Sequence, residues 1–91
     1  MFDIRYNGLR LVPSKSAMRE MMKLGLALAD CKEILEIGND APRKRSIGTE
    51  EKWLSKGHKT YSVVVVRSFN HFYSEEVQLI THVGKFGRKM T

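Results

Sequence analysis

Lys59-Thr60-Tyr61-Ser62-Val63-Val64-Val65-Val66-Arg67 contains four consecutive valines. Valine branches at Cβ, so its side chain is stiff and fits the pleated surface of a sheet better than the crowded flank of a helix. The segment is apolar on both faces near its middle, which is the pattern of a central strand. Strand-like sequence flanks it. Glu51 to Leu54 precedes it across a turn at Ser55-Lys56-Gly57-His58, and Glu76 to Val83 follows it across a turn at Asn70 to Ser74. In that last strand strict alternation would point Val77, Leu79, Thr81 and Val83 one way, and Gln78, Ile80 and His82 the other.

Upstream the periodicity changes. Asn7-Gly8 separates two alternating stretches, Phe2 to Tyr6 and Leu9 to Val12. Both turn residues tolerate positive φ, as a type I′ turn requires, so a short opening hairpin is expected, ended by Pro13. Ser14 or Ser16 can cap a first helix, whose apolar stripe is read as Met18, Met21, Met22 and Gly25, with Gly25 as its stop. A second helix carries Leu28, Cys31, Ile34 and Leu35 on one face and ends at Gly38-Asn39. Asn39 to Gly48 reads as a polar loop. The expected architecture is one α+β domain over residues 1–91, a short N-terminal hairpin and two helices on one face of a mostly antiparallel sheet.

A chain of 91 residues has room for one core. Its single cysteine, Cys31, has no partner for an internal disulfide, and no Cys/His set has zinc-ligand spacing. A reducing, cytoplasmic setting is expected. The opening Met1-Phe2-Asp3-Ile4-Arg5 lacks the pattern of a signal peptide. The valine run is far short of a membrane span, so no membrane association is expected. No glycine-rich phosphate loop precedes a helix, and neither cofactor nor metal is expected.

Charge is the clearest functional signal. Residues 1–42 carry six basic and six acidic side chains, whereas residues 43–91 carry ten basic and four acidic, so the whole excess of +6 lies in one half. Such asymmetry suits a polyanionic partner, and it equally suits a solvated basic surface with none. Arg43-Lys44-Arg45 forms a loop cluster free to reach phosphates, with Lys59, Lys85 and Arg88 as further candidate nucleic-acid contacts.

Several stretches resemble the family called domain of unknown function 4258, itself similar to RelE/BrnT-like toxin folds. They are Ser14-Lys15-Ser16-Ala17 opening a helix that contains Arg19 and Met22, Gly25-Leu26 before the second helix, Ile34-Leu35-Glu36, the strand at Tyr61 to Val66, and Gln78-Leu79-Ile80-Thr81-His82-Val83. The resemblance spans about residues 10–86. Ser16 stands where the family often has a histidine. The wider fold group implies ribonuclease-like toxin activity, and toxin–antitoxin pairing implies a small acidic protein partner.

Metal-free RNA cleavage needs groups to move protons and cations to hold the phosphate. His82 and Arg67 are the candidate catalytic pair, joined by His58, Lys59 and Tyr61. His71 among Phe69, Phe72 and Tyr73 could stack a base or close a hairpin. The alternative to an RNA-directed activity is a non-catalytic protein-interaction module using Met18, Met21, Met22 and Trp53.

Overall fold

In the computed structural model, residues 4–42 and 47–87 are described. The order is β1 (Arg5–Tyr6), β2 (Leu9–Pro13), α1 (Lys15–Leu24), α2 (Leu28–Ile37), β3 (Asn39–Asp40), β4 (Thr49–Lys56), β5 (Lys59–Asn70) and β6 (Glu75–Gly87). The fold is α+β, with one six-stranded sheet in the order β1-β2-β6-β5-β4-β3.

The opening hairpin forms as its turn chemistry dictates. Asn7 and Gly8 have φ of 53° and 79°, and Tyr6 pairs with Leu9. α1 starts at Ser14, whose hydroxyl accepts the Ala17 amide at 3.1 Å. It stops at left-handed Gly25, after which the Leu26 amide returns to the Met21 carbonyl at 2.9 Å. α2 has no side-chain cap at Ala27, but the Asp30 carboxylate accepts the Ala27 amide at 2.8 Å. Cys31, Ile34 and Leu35 are buried on its inner face, as their spacing predicts.

Four features differ from the sequence reading. The sheet is mixed, because β2 runs parallel to β6 in the register Arg10↔Val77 to Pro13↔Ile80, while the other four pairings are antiparallel. Only pairing between segments far apart in the chain sets that direction, and no local pattern encodes it. The expected loop after α2 begins with a short strand, since Asn39 pairs with Trp53 and Asp40 with Lys52. The Arg43-Lys44-Arg45 cluster lies outside the described residues. The methionine stripe of α1 is displaced, for Ala17 and Met21 are buried whereas Met18 is 49% and Met22 78% exposed. Burying Ala17, Met21 and Leu24 lets the helix approach β6 closely and turns Glu20 toward that strand.

The fourth difference is a bulge. Val65 faces Ile80, but Val64 faces His82, leaving Thr81 as an extra residue in β6. Alternation therefore resets between Ile80 and Val83. Val83 joins Ile80, Val63 and Val65 in the core under the helices, instead of sharing a face with Val77 and Leu79. His82, Gly84 and Phe86 fall on the opposite face, with Ser62, Val64 and Trp53.

Two tests follow from this packing. A Cβ on Gly38 would press on the Ile34 carbonyl and lie 2.8 Å from the Trp53 carbonyl, both backbone atoms. Gly38→Ala is expected to cost about 2 kcal/mol or more in a denaturant melt, while Gly87→Ala, which meets nothing within 4 Å, should be close to neutral. Burial also pushes the Cys31 thiol up to about 11 and the Tyr6 phenol up to about 12, the latter with help from its bond to Glu50. Both groups hold their protons more tightly folded than unfolded. Their stabilisation is complete below the unfolded values and is lost as pH rises through the folded ones. The urea midpoint should fall from about pH 9 upward, and Cys31→Ala should flatten the first part of that decline.

Candidate functional site at the free edge of the last strand

β2 ends at Pro13, which has no amide hydrogen to continue the ladder. The last backbone bond on that side runs from the Ser14 amide to the Ile80 carbonyl at 2.9 Å. Beyond it, α1 covers the edge of β6. The Glu20 carboxylate accepts the Val83 amide at 2.9 Å through one oxygen, and its other oxygen lies 3.2 Å from Nδ1 of His82. One side chain thus closes an open strand edge and orients an imidazole. The contact sets Nδ1 toward the carboxylate and becomes an ion pair when the imidazole is protonated.

A cavity of about 430 Å³ wraps this edge, lined by Glu20, Lys23, Ser62, His82, Gly84 and Lys85 among others. A second, of about 520 Å³, adjoins it through Phe86 on the face away from the helices, between Trp53, Ser55, Thr60, Asn39 and Asp40. Trp53 and Phe86 meet edge to face with ring centroids 4.9 Å apart. The Trp53 indole donates to Glu51 at 2.7 Å, which fixes the plane of the ring. Phe86 is common to both linings, with Trp53 in the second and His82, Lys23 and Lys85 in the first.

The structure does not bring the predicted catalytic pair together. Arg67 pairs with Gln78 and lies three positions along β5 from Val64, the partner of His82. That separation is about 10 Å along the strand and puts the two on opposite faces. Arg67 instead lines a groove with Asn7, Thr49 and Glu50. Tyr61 packs against the core, and exposed Lys59 and His58 lie at the β4–β5 turn. Lys85 is exposed beside His82 at the first cavity. Arg88, like Arg43, Lys44 and Arg45, lies outside the described residues. His71 and Phe69 form an edge-to-face pair by the β5–β6 turn, at 5.1 Å. The described residues contain no group of three or more side chains suited to a metal ion, and no helix among them is long and apolar enough to cross a membrane.

Glu20, Lys23, Ser62 and Gly84 escape the sequence reading. Glu20 had a legible signal, as a carboxylate on the stripe formed by Ala17, Met21 and Leu24. Gly84 and Ser62 become neighbours only through the register that pairs them. No family model, curated protein or solved structure matches this chain.

Removing the carboxylate by Glu20→Ala should cost about 1–2 kcal/mol in a urea melt, because the Val83 amide loses its acceptor. Glu20→Gln keeps an acceptor oxygen and should cost clearly less. Equal losses in the two variants would contradict the edge-closing role.

Proposed function

We propose that the protein binds single-stranded RNA across the Trp53–Phe86 face of its sheet and around the edge of β6 that Lys23 and Lys85 line. The observation that carries this reading is the Trp53–Phe86 pair, set beside a cavity that Lys23 and Lys85 line. Base–aromatic stacking accepts any base, and flanking ammonium groups neutralise phosphates. The basic C-terminal half supports the same reading, with Arg43, Lys44, Arg45, Lys59 and Arg88 as further phosphate contacts. Two helices on a sheet that opens with a hairpin support kinship with the RelE/BrnT-like fold group and the family of unknown function 4258. RNA cleavage by His82 and Arg67 acting together is not supported, because they stand on opposite faces.

A second reading has its own observation. Met18 and Met22 are exposed one turn apart on α1, beside Lys15, Arg19 and Lys23. A methionine surface ringed by cations suits a small acidic protein with an apolar helix face.

Trp53 is the only tryptophan, so its fluorescence reports the RNA face directly. Titration with a 12-nucleotide oligouridylate at low salt should quench it. The affinity should fall with salt by roughly 0.7 log units per phosphate contact for each tenfold rise. Phe86→Ala should weaken binding by about 1–3 kcal/mol, and replacing Arg43, Lys44 and Arg45 by alanine should flatten the salt slope. Absence of quenching and of any salt-dependent binding would overturn the proposal and favour the partner-protein reading.

A further inference from the structure

Gly84 occupies a position where its backbone does not demand glycine, since its φ is outside the left-handed region. The demand is spatial. A Cβ there would lie 2.8 Å from the Ser62 hydroxyl oxygen and 3.2 Å from Nε2 of His82. The missing side chain keeps open a gap that both atoms face. Ser62 is only 4% exposed, in the central strand β5. No hydrogen bond to its hydroxyl is formed among the described residues, and the side chain lines the cavity at the β6 edge. Its oxygen is open to that cavity, since among the described residues no fully buried side-chain oxygen lacks a partner.

The rest of the cavity supplies what such a hydroxyl needs in order to react. Nε2 of His82 faces the same gap, and Nδ1 lies 3.2 Å from the Glu20 carboxylate. Glu20 is itself fixed by the Val83 amide at 2.9 Å. Nucleophile, base and orienting carboxylate thus stand in sequence around one small space. Exposed Lys23 and Lys85 add two positive charges to its lining.

We propose that this cavity is a nucleophilic site for a small ester carrying an anionic group, with Ser62 as nucleophile, His82 as general base and Glu20 as positioning residue. The Ser62 hydroxyl proton passes to Nε2 of His82 as the oxygen bonds to the ester carbonyl carbon. The ester carbon–oxygen bond then breaks, and the departing alcohol takes that proton from His82. Water, deprotonated by the same imidazole, attacks the acyl-serine and releases the acid, returning the proton to Ser62. The ammonium groups of Lys23 and Lys85 hold the anionic end of the substrate. This site goes beyond RNA binding and does not depend on it.

A fluorophosphonate probe tests the first half of this chemistry, since serine attack on phosphorus expels fluoride and leaves a covalent adduct. Intact mass and peptide mapping of the treated protein should place one adduct on Ser62. Ser62→Ala should abolish it, and His82→Ala should slow it by at least about 100-fold. Gly84→Ala should block labelling by filling the gap. Glu20→Gln, which keeps the Val83 bond, should slow labelling, and Glu20→Asp should restore part of it. Circular dichroism melts check that each variant is folded. Unlabelled wild-type protein, an adduct at another residue, or labelling of Ser62 that survives His82→Ala in a folded variant would each overturn the proposal.

Discussion

β6, the last strand of the chain, has to lie in the interior of the sheet, and the remaining elements arrange themselves around that requirement. Along one side it pairs with β5 from Lys59↔Gly87 to Asn70↔Glu75. Along the other it accepts β2 in parallel over four residues only. Parallel pairing needs a long connection, and here α1, α2, β3, β4 and β5 all intervene between the partners. The closure entropy of that loop is offset by burying Leu11, Val63, Val65, Ile80 and Val83 together with Cys31, Ile34 and Leu35.

β2 is too short for β6, and that mismatch creates the site. Where Pro13 ends the ladder, the backbone of β6 would face solvent with its amide unpaired. The bulge at Thr81 and the carboxylate of Glu20 resolve this together. The bulge turns Val83 inward to the core and sends His82 to the other face, while Glu20 accepts the Val83 amide. A residue serving the strand edge is thereby committed to His82 as well. Sheet-edge satisfaction, core packing and imidazole orientation share one carboxylate. The aromatic pair Trp53–Phe86 lies on the same face because the reset alternation carries Phe86 there with His82 and Gly84.

What was legible in the sequence was what local chemistry decides. Asn7-Gly8 forms its turn because two adjacent residues must adopt positive φ. Ser14 and Gly25 bound α1 because a hydroxyl and a left-handed glycine satisfy helix ends. The inner face of α2 was readable from Cys31, Ile34 and Leu35 alone. The valine run forms β5, which is central because it is apolar on both faces. The displaced stripe of α1 was not readable, because a helix rotates by about 100° per residue and its roll is chosen by the distant contact to β6. The bulge was not readable either, since Thr81 is an ordinary strand residue with no glycine or proline to mark it. Once alternation is broken there, the relation between Arg67 and His82 inverts. Every inference that extends strict alternation through Val83 fails with it.

The interrupted register of β6 is therefore the point on which both the core and the candidate site rest. Cross-strand nuclear Overhauser contacts between backbone protons of β5 and β6, measured on isotopically labelled protein, read that register directly. The expected pattern is Val63 opposite Val83, Val64 opposite His82 and Val65 opposite Ile80, with Thr81 unpaired and the Val83 amide slow to exchange. An unbroken ladder placing Val65 opposite Thr81 would contradict the arrangement of the core and of the site alike.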